Sequence, residues 1–173
     1  MEEVILVNPE DRAIGRMEKM AAHEQGILHR AFSVFLFNDQ SQMLLQQRAH
    51  SKYHSPGLWT NACCSHPKPG EDTDAAARRR LFEELNIACN VDHMYHFVYK
   101  ADVGNGLIEH ELDHVFSGVY NELPEYNTDE VEAVKFVSLD WLNEDIDENP
   151  DAYTAWFRIT FEEAMNRYNA VLR

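Results

Sequence analysis

Cysteine, proline and glycine are scarce: the 173-residue chain holds 3, 6 and 7 of them. Three thiols, Cys63, Cys64 and Cys89, build no disulfide framework. A bridge between the neighbours Cys63 and Cys64 would be strained, so free thiols in a reducing compartment are expected. The few prolines and glycines form no linker, and no repeat or low-complexity tract is visible. No apolar run reaches the roughly 18 residues of a membrane span. The opening Met1-Glu2-Glu3-Val4 lacks the basic start and long apolar stretch of a signal peptide. A cytoplasmic protein without a membrane partner is therefore expected. Basic residues are also short: 15 Lys and Arg stand against 30 Asp and Glu, for a formal net charge of −15. Such a field repels nucleic acid, which is excluded as a partner. It still admits a small anionic ligand, provided that a local cluster of Lys and Arg or a metal ion overrides it.

What is present suits an ordinary globular protein. The hydrophobic share is 45% and the charged share 26%. The length suggests one domain over residues 1–173, with enough core to fold without staples.

Hydrophobic periodicity predicts strands at residues 4–7, 30–37, 43–48, 96–101, 107–120 and 134–137. Asn38 to Ser41 should turn the second into the third as a hairpin, and Gly104-Asn105-Gly106 is a second turn. Residues 51–70 read as loop, and the acidic stretch 143–151 as a solvated loop or helix end. Helices are expected over 73–85 and 152–172. In the first, Ala77, Leu81 and Leu85 form an apolar stripe, with Arg80, Glu83 and Glu84 assigned to the other face. Strands and helices mix without regular βαβ alternation, which points to a layered α/β or α+β fold.

Four constellations could carry chemistry. Glu109 and Glu111 alternate past His110 on one strand face. They are either two solvated acids or a pair holding a cation. His23, His29 and His66 have no short zinc spacing, yet histidine is the commonest transition-metal ligand. In Trp59-Thr60-Asn61-Ala62-Cys63-Cys64-Ser65-His66-Pro67, a thiol beside an imidazole is either activated or a small core filler. Lastly, Glu71-x7-Arg79-Arg80-Leu81-Phe82-Glu83-Glu84-x-Asn86-Ile87 is more specific than a solvated charge run.

That last pattern resembles the Nudix box, Gly-x5-Glu-x7-Arg-Glu-U-x-Glu-Glu-x-Gly-U with U apolar. Glu71, Arg79, Leu81, Glu83, Glu84 and Ile87 match, while Ser65, Arg80 and Asn86 depart from it. Further segments extend the likeness over nearly the whole chain. They are Glu18-Lys19-Met20-Ala21-Ala22-His23, Leu28-His29-Arg30-Ala31-Phe32-Ser33, Gln47-Arg48-Ala49-His50-Ser51-Lys52, Pro56-Gly57-Leu58-Trp59-Thr60-Asn61, Cys64-Ser65-His66-Pro67, Tyr99-Lys100-Ala101, Glu109-His110-Glu111 and Ala155-Trp156-Phe157. Together they resemble the type I isopentenyl-diphosphate isomerases, a family built on the Nudix fold.

The resemblance implies an α/β/α sandwich with mixed sheets. It implies conversion of isopentenyl to dimethylallyl diphosphate in isoprenoid biosynthesis, through a tertiary carbocation. Cys64 and Glu111 would be its acid–base pair, Tyr99 would hydrogen-bond in the proton path of the glutamate, and Trp156 would face the developing cation. Lys19, Arg48, Lys52 and Arg80 would bind the diphosphate. His23, His29, His66, Glu109 and Glu111 would converge on one Mn2+ or Mg2+, and Glu84 would share a second Mg2+ with the substrate. No flavin is expected, and a monomer is. Two alternatives remain: a Nudix pyrophosphohydrolase, which needs neither Cys64 nor the Glu109/Glu111 pair, and a catalytically silent metal- or diphosphate-binding module.

Overall fold

The computed structural model describes residues 1–172, with side chains through residue 170. Nine strands and four α-helices follow one another as β1 (Glu3–Val7), β2 (Ala13–Glu18), α1 (Lys19–Gln25), β3 (His29–Phe37), β4 (Gln42–Arg48), β5 (Trp59–Thr60), β6 (Cys63–Ser65), α2 (Thr73–Leu85), β7 (Asp92–Gly104), β8 (Leu107–Val119), β9 (Val131–Ser138), α3 (Leu139–Glu148) and α4 (Ala155–Leu172).

The centre is β3. It runs parallel to β8 from His29↔Glu111 to Phe37↔Val119. Its other edge pairs with β6 through Ser33↔Cys64 and Val34↔Cys63, and with β1 only at Leu6↔His29. The expected β3–β4 hairpin survives only at the turn, where Phe37 faces Met43. Beyond it the strands diverge, and β4 takes β9 and β5 as partners. The result is a mixed, curled sheet with helices on both faces, an α/β architecture.

Strand alternation divides β3 between two cores. Phe32, Val34 and Leu36 pack with Ala77, Leu81 and Leu85 of α2 and with Cys63. Phe35 and Phe37 pack with Trp156, Phe157 and Phe161 of α4. On α2, Glu84 is buried beside the Leu81 stripe, which corrects its assignment to the polar face. Leu81 and Glu84 are three residues apart, so a 3.6-residue period carries both inward. Gln46 supplies the buried carboxylate with a hydrogen bond of 3.0 Å.

Several elements exceed the sequence reading. Residues 13–25 form β2 and α1, and the 51–70 loop contains β5 and β6. The acidic stretch is largely α3 and a short 3-10 turn at Pro150–Ala152, and α4 starts at Ala155 rather than residue 152. Strand β7 starts at Asp92 and is twice the expected length. No described helix is long and apolar enough to cross a membrane.

Candidate active site

The wall of the site is the odd-numbered face of the β3–β8–β7 triplet. From β3 come His29 and Ser33, and from β8 Glu109, Glu111 and Asp113, all buried. Across the ladder, Tyr99 of β7 pairs with Glu111. His23 reaches in from α1. That helix ends on Gly26, whose φ of 62° is the left-handed cap a glycine adopts freely, and the chain then turns directly into His29. The short strand β6 sends Cys63 into the α2 core and Cys64 to the opposite side, against Trp156. His66 follows just beyond it. The cavity they surround measures about 130 Å3. Its rim and floor also carry Lys19, Arg48, Lys52, Arg80 and Glu84. All the site residues singled out from the sequence, His23 and His29 excepted, line this cavity, and those two adjoin it through Glu111.

The imidazoles are oriented from behind. His23 Nδ1 lies 2.7 Å from the Lys19 carbonyl and His29 Nδ1 lies 2.8 Å from the Ile27 carbonyl. A carbonyl only accepts, so both Nδ1 atoms carry the proton and both Nε2 lone pairs face inward. There His29 Nε2 and His66 Nε2 approach to 3.3 Å, and His66 Nε2 lies 2.9 Å from Glu111 Oε1. His23 Nε2 is buried without a partner. Burial and its neighbour His66 lower the imidazole of His23 to about 4, so it is neutral at pH 7. Three inward Nε2 atoms and a carboxylate, with ligand atoms within 4.8 Å of one another, fit a divalent cation once His66 Nε2 gives up its proton. Glu109 stands slightly apart, grouped with His23 and His54. The five expected ligands therefore form two overlapping sets that share His23.

The carboxylates are unequal. Burial pushes the Glu109 carboxyl well up, and the charge of Glu111 adds to that. Burial also raises Glu111, but the His29 and His66 imidazoles against it outweigh that and hold this group well below the usual carboxylate range. Tyr99 Oη sits 2.9 Å from Glu109 Oε2 and 2.7 Å from Glu111 Oε2. The one hydroxyl proton is donated to one of these two acceptors at a time, so Tyr99 joins the carboxylates through a single oxygen.

At Cys64 the polarity is reversed. Burial, then the charge of Asp113, pushes the thiol far up. It donates to Asn61 Oδ1 at 3.1 Å, and its sulfur accepts from Trp156 Nε1 at 3.0 Å. Ser33 Oγ, 3.4 Å from the sulfur, donates to Asp113 Oδ2 at 2.6 Å. The cations line the same cavity. Arg80 Nη2 meets Glu84 Oε1 at 2.5 Å, Arg48 lies 5.3 Å over the Trp156 ring, and Lys52 pairs with Glu130. The Nε atoms of Arg48 and Arg80 are buried and unpartnered.

Sequence reasoning missed His54, Asn61, Ser33 and Asp113. His54 is the informative case: it is 4% exposed, with Nε2 3.3 Å from Glu109 Oε1. Its position in a loop gave no period to read. Ser33 and Asp113 could have been paired only by knowing that β3 and β8 are neighbours.

A profile of the NUDIX domain matches residues 27–157. Among solved structures, a protein from Deinococcus radiodurans superposes with a TM-score of 0.79 over 94% of this chain and 98% of its own, at 20% identity. A MutT protein from Methanosarcina mazei reaches 0.66 over 82% of this chain and 95% of its own, at 19% identity. At that identity they establish the fold, which is that of a Nudix protein. The closer likeness lies in sequence. An isopentenyl-diphosphate Delta-isomerase from Pectobacterium atrosepticum is 48% identical over 97% of this chain and 94% of its own. An isopentenyl-diphosphate Delta-isomerase 1 from Aromatoleum aromaticum is 50% identical over 95% and 93%. The chain belongs to the isopentenyl-diphosphate Delta-isomerase family.

Proposed function

We propose that the protein isomerises isopentenyl diphosphate to dimethylallyl diphosphate, supplying isoprenoid biosynthesis. The observation that carries this reading is the polarity of the cavity. A thiol that burial keeps protonated and a carboxylate that its histidine neighbours keep ionised line the same cavity. Moving a double bond by one carbon needs one acid and one base on the hydrocarbon. Protonation of the terminal alkene carbon leaves a tertiary cation, and loss of a proton from the neighbouring methylene closes the new double bond. Cys64 and Glu111 are the pair that exchange these protons, and Tyr99 hydrogen-bonds to Glu111 in its proton path. Exchange with solvent restores both groups before the next turnover. The Trp156 indole beside Cys64 faces the cationic carbon through its π system.

Lys19, Arg48, Lys52 and Arg80 bind the diphosphate. The buried, unpartnered Nε atoms of Arg48 and Arg80 are donors suited to phosphate oxygens. Arg80 stands where the Nudix box carries Glu, which suits holding a diphosphate rather than hydrolysing it. His23, His29, His66 and Glu111, with Glu109 beside them, would hold Mn2+ or Mg2+, and Glu84 would hold a Mg2+ shared with the substrate. When bound, these ions neutralise carboxylate and phosphate charge and fix their orientation. No flavin takes part. The ligand set, from Lys19 to Trp156, comes from one chain, which supports a monomeric single domain over residues 1–173. Three free thiols suit a cytoplasmic setting.

The test is incubation with isopentenyl diphosphate and Mg2+, without added flavin. Dimethylallyl diphosphate is the expected product. Release of phosphate would identify a pyrophosphohydrolase, and no turnover a silent binding module.

A further inference from the structure

Away from the active site, His93 and His96 of β7 and His114 of β8 cluster on the outer face of the sheet. In a regular strand, residues three apart point to opposite faces. Here a bulge intervenes: His93 pairs with Phe116 and Tyr95 with Val115, so Met94 is the extra residue. The bulge turns His93 to the side of His96, which itself pairs directly with His114. Ring centroids lie 5.1 Å apart for His93 and His114, and 5.4 Å for His96 and His114. One ring nitrogen of each comes within 4.8 Å of the other two.

The cluster is oriented from outside itself. Asp11, in the turn between β1 and β2, accepts from His114 Nε2 at 2.8 Å. Arg30 fixes Asp11 in turn, with Nε 2.8 Å from Oδ1 and Nη2 2.8 Å from its carbonyl. With its proton on Nε2, His114 presents a Nδ1 lone pair toward His93 Nε2, 3.0 Å away. A carboxylate behind a histidine whose free nitrogen faces further histidines is the outer-shell arrangement of metal-binding imidazoles. Burial lowers the ring pKa of both His93 and His114, favouring the neutral, ligating form.

We propose that His93, His96 and His114 form a second, surface metal site for a borderline transition-metal dication of the Zn2+ class, separate from the catalytic cavity. Three imidazoles bind such ions and not Mg2+ or Ca2+. The exposed position of His93 and His96 leaves a further coordination place for water. In a tetrahedral site the donor atoms stand about 3.4 Å apart, so small rotations of exposed side chains close the set. Binding shifts the His93 proton from Nε2, where it faces His114, to Nδ1 by exchange with solvent, which leaves both rings neutral and both inward nitrogens free to ligate. The ion would tie the start of β7 to β8 and, through Asp11, to the β1–β2 turn. Its charge is favourable on a chain of net charge −15.

The test is calorimetric titration of chelator-stripped protein with ZnCl2. Wild type should bind one Zn2+ per chain more than the double variant His93→Gln/His96→Gln. Asp11→Asn should retain the site with affinity lowered by about 10–100-fold. Equal stoichiometry in wild type and double variant, with both melting alike in chelator, overturns the proposal. A second readout needs no variant. Substoichiometric Cu2+ should broaden the Hε1 resonances of His93, His96 and His114 in wild type, and unbroadened signals would equally overturn it.

Discussion

The two faces of the β3–β8 pair share one backbone and differ in almost everything else. Toward α2 the strands present Phe32, Val34, Leu36 and Phe116, and the space is filled with aliphatic side chains. Toward the cavity the alternate residues are His29, Ser33, Glu111 and Asp113, as deeply buried but polar. Burying these groups costs free energy that the protein recovers only through partners. The contrast teaches that one face is given over to packing, while the other holds reactive groups in place beside a second core built on Phe35 and Phe37. The adjacent thiols state it at single-residue scale: Cys63 belongs to the first face and Cys64 to the second.

The largest expected effect breaks the reactive face. Cys64→Ala removes the thiol that Asn61 and Trp156 position. Loss of an acid–base group typically lowers the rate by about 10²–10⁴-fold. Turnover of isopentenyl diphosphate should fall by that much while melting temperature and metal content stay near wild type. Normal turnover by this variant would remove Cys64 from the mechanism.

Next comes the filled face. Leu81 is fully buried between α2 and the sheet. Leu81→Ala should cost about 2–5 kcal/mol of unfolding free energy. The folded fraction should keep its KM, because Leu81 lines no part of the cavity. Urea melts alongside kinetics check both halves, and a raised KM with unchanged stability would contradict the division of labour.

The sequence was legible wherever a signal is local. Thr73–Leu85 was bounded correctly because a 3.6-residue period runs its full length, and the site motifs stand out as contiguous residues. Relations that join distant segments were not. The parallel pairing of β3 with β8 leaves no mark on either strand, so residues 30–48 read as a simple hairpin. At Glu84 two local signals conflict: charge points to the polar face, whereas the spacing from Leu81 points inward, and the structure follows the spacing. Helix α1 has only seven residues, too few for a period to show, although it carries Lys19 and His23. The same limit hid His54.

A smaller effect sharpens the electrostatic side. Burial lowers the Lys52 ammonium to about 8, with Glu84 pulling it up and Arg48 and Arg80 pushing it down. Below that pH the group is charged and binds diphosphate; above it the charge and its contribution are lost. The kcat/KM of wild type should therefore decline as pH rises through about 8. Lys52→Arg should move that decline to higher pH. Lys52→Ala should raise KM by roughly tenfold or more, since a charged hydrogen bond contributes about 1.5–3 kcal/mol. An unchanged KM in Lys52→Ala would remove the residue from the diphosphate site.

The smallest effect is expected at Cys63, and it tests the comparison most closely. The side chain is fully buried, and it packs with Leu81, Ala77 and Val34 without reaching the cavity. Burial, then the charge of Glu84, keeps its thiol protonated, so it is a small apolar filler. Cys63→Ala deletes one sulfur and leaves a void smaller than a methyl-lined cavity, which costs about 1 kcal/mol. For a chain of this size that lowers the melting temperature by roughly 2–4 °C. Catalysis should be untouched, because β6 needs only its backbone at this position to hold Cys64 against Ser33. Calorimetry with an isomerase assay separates the two quantities. A loss of turnover in Cys63→Ala as large as that in Cys64→Ala would mean that the strand, rather than the face to which each side chain points, decides which thiol matters.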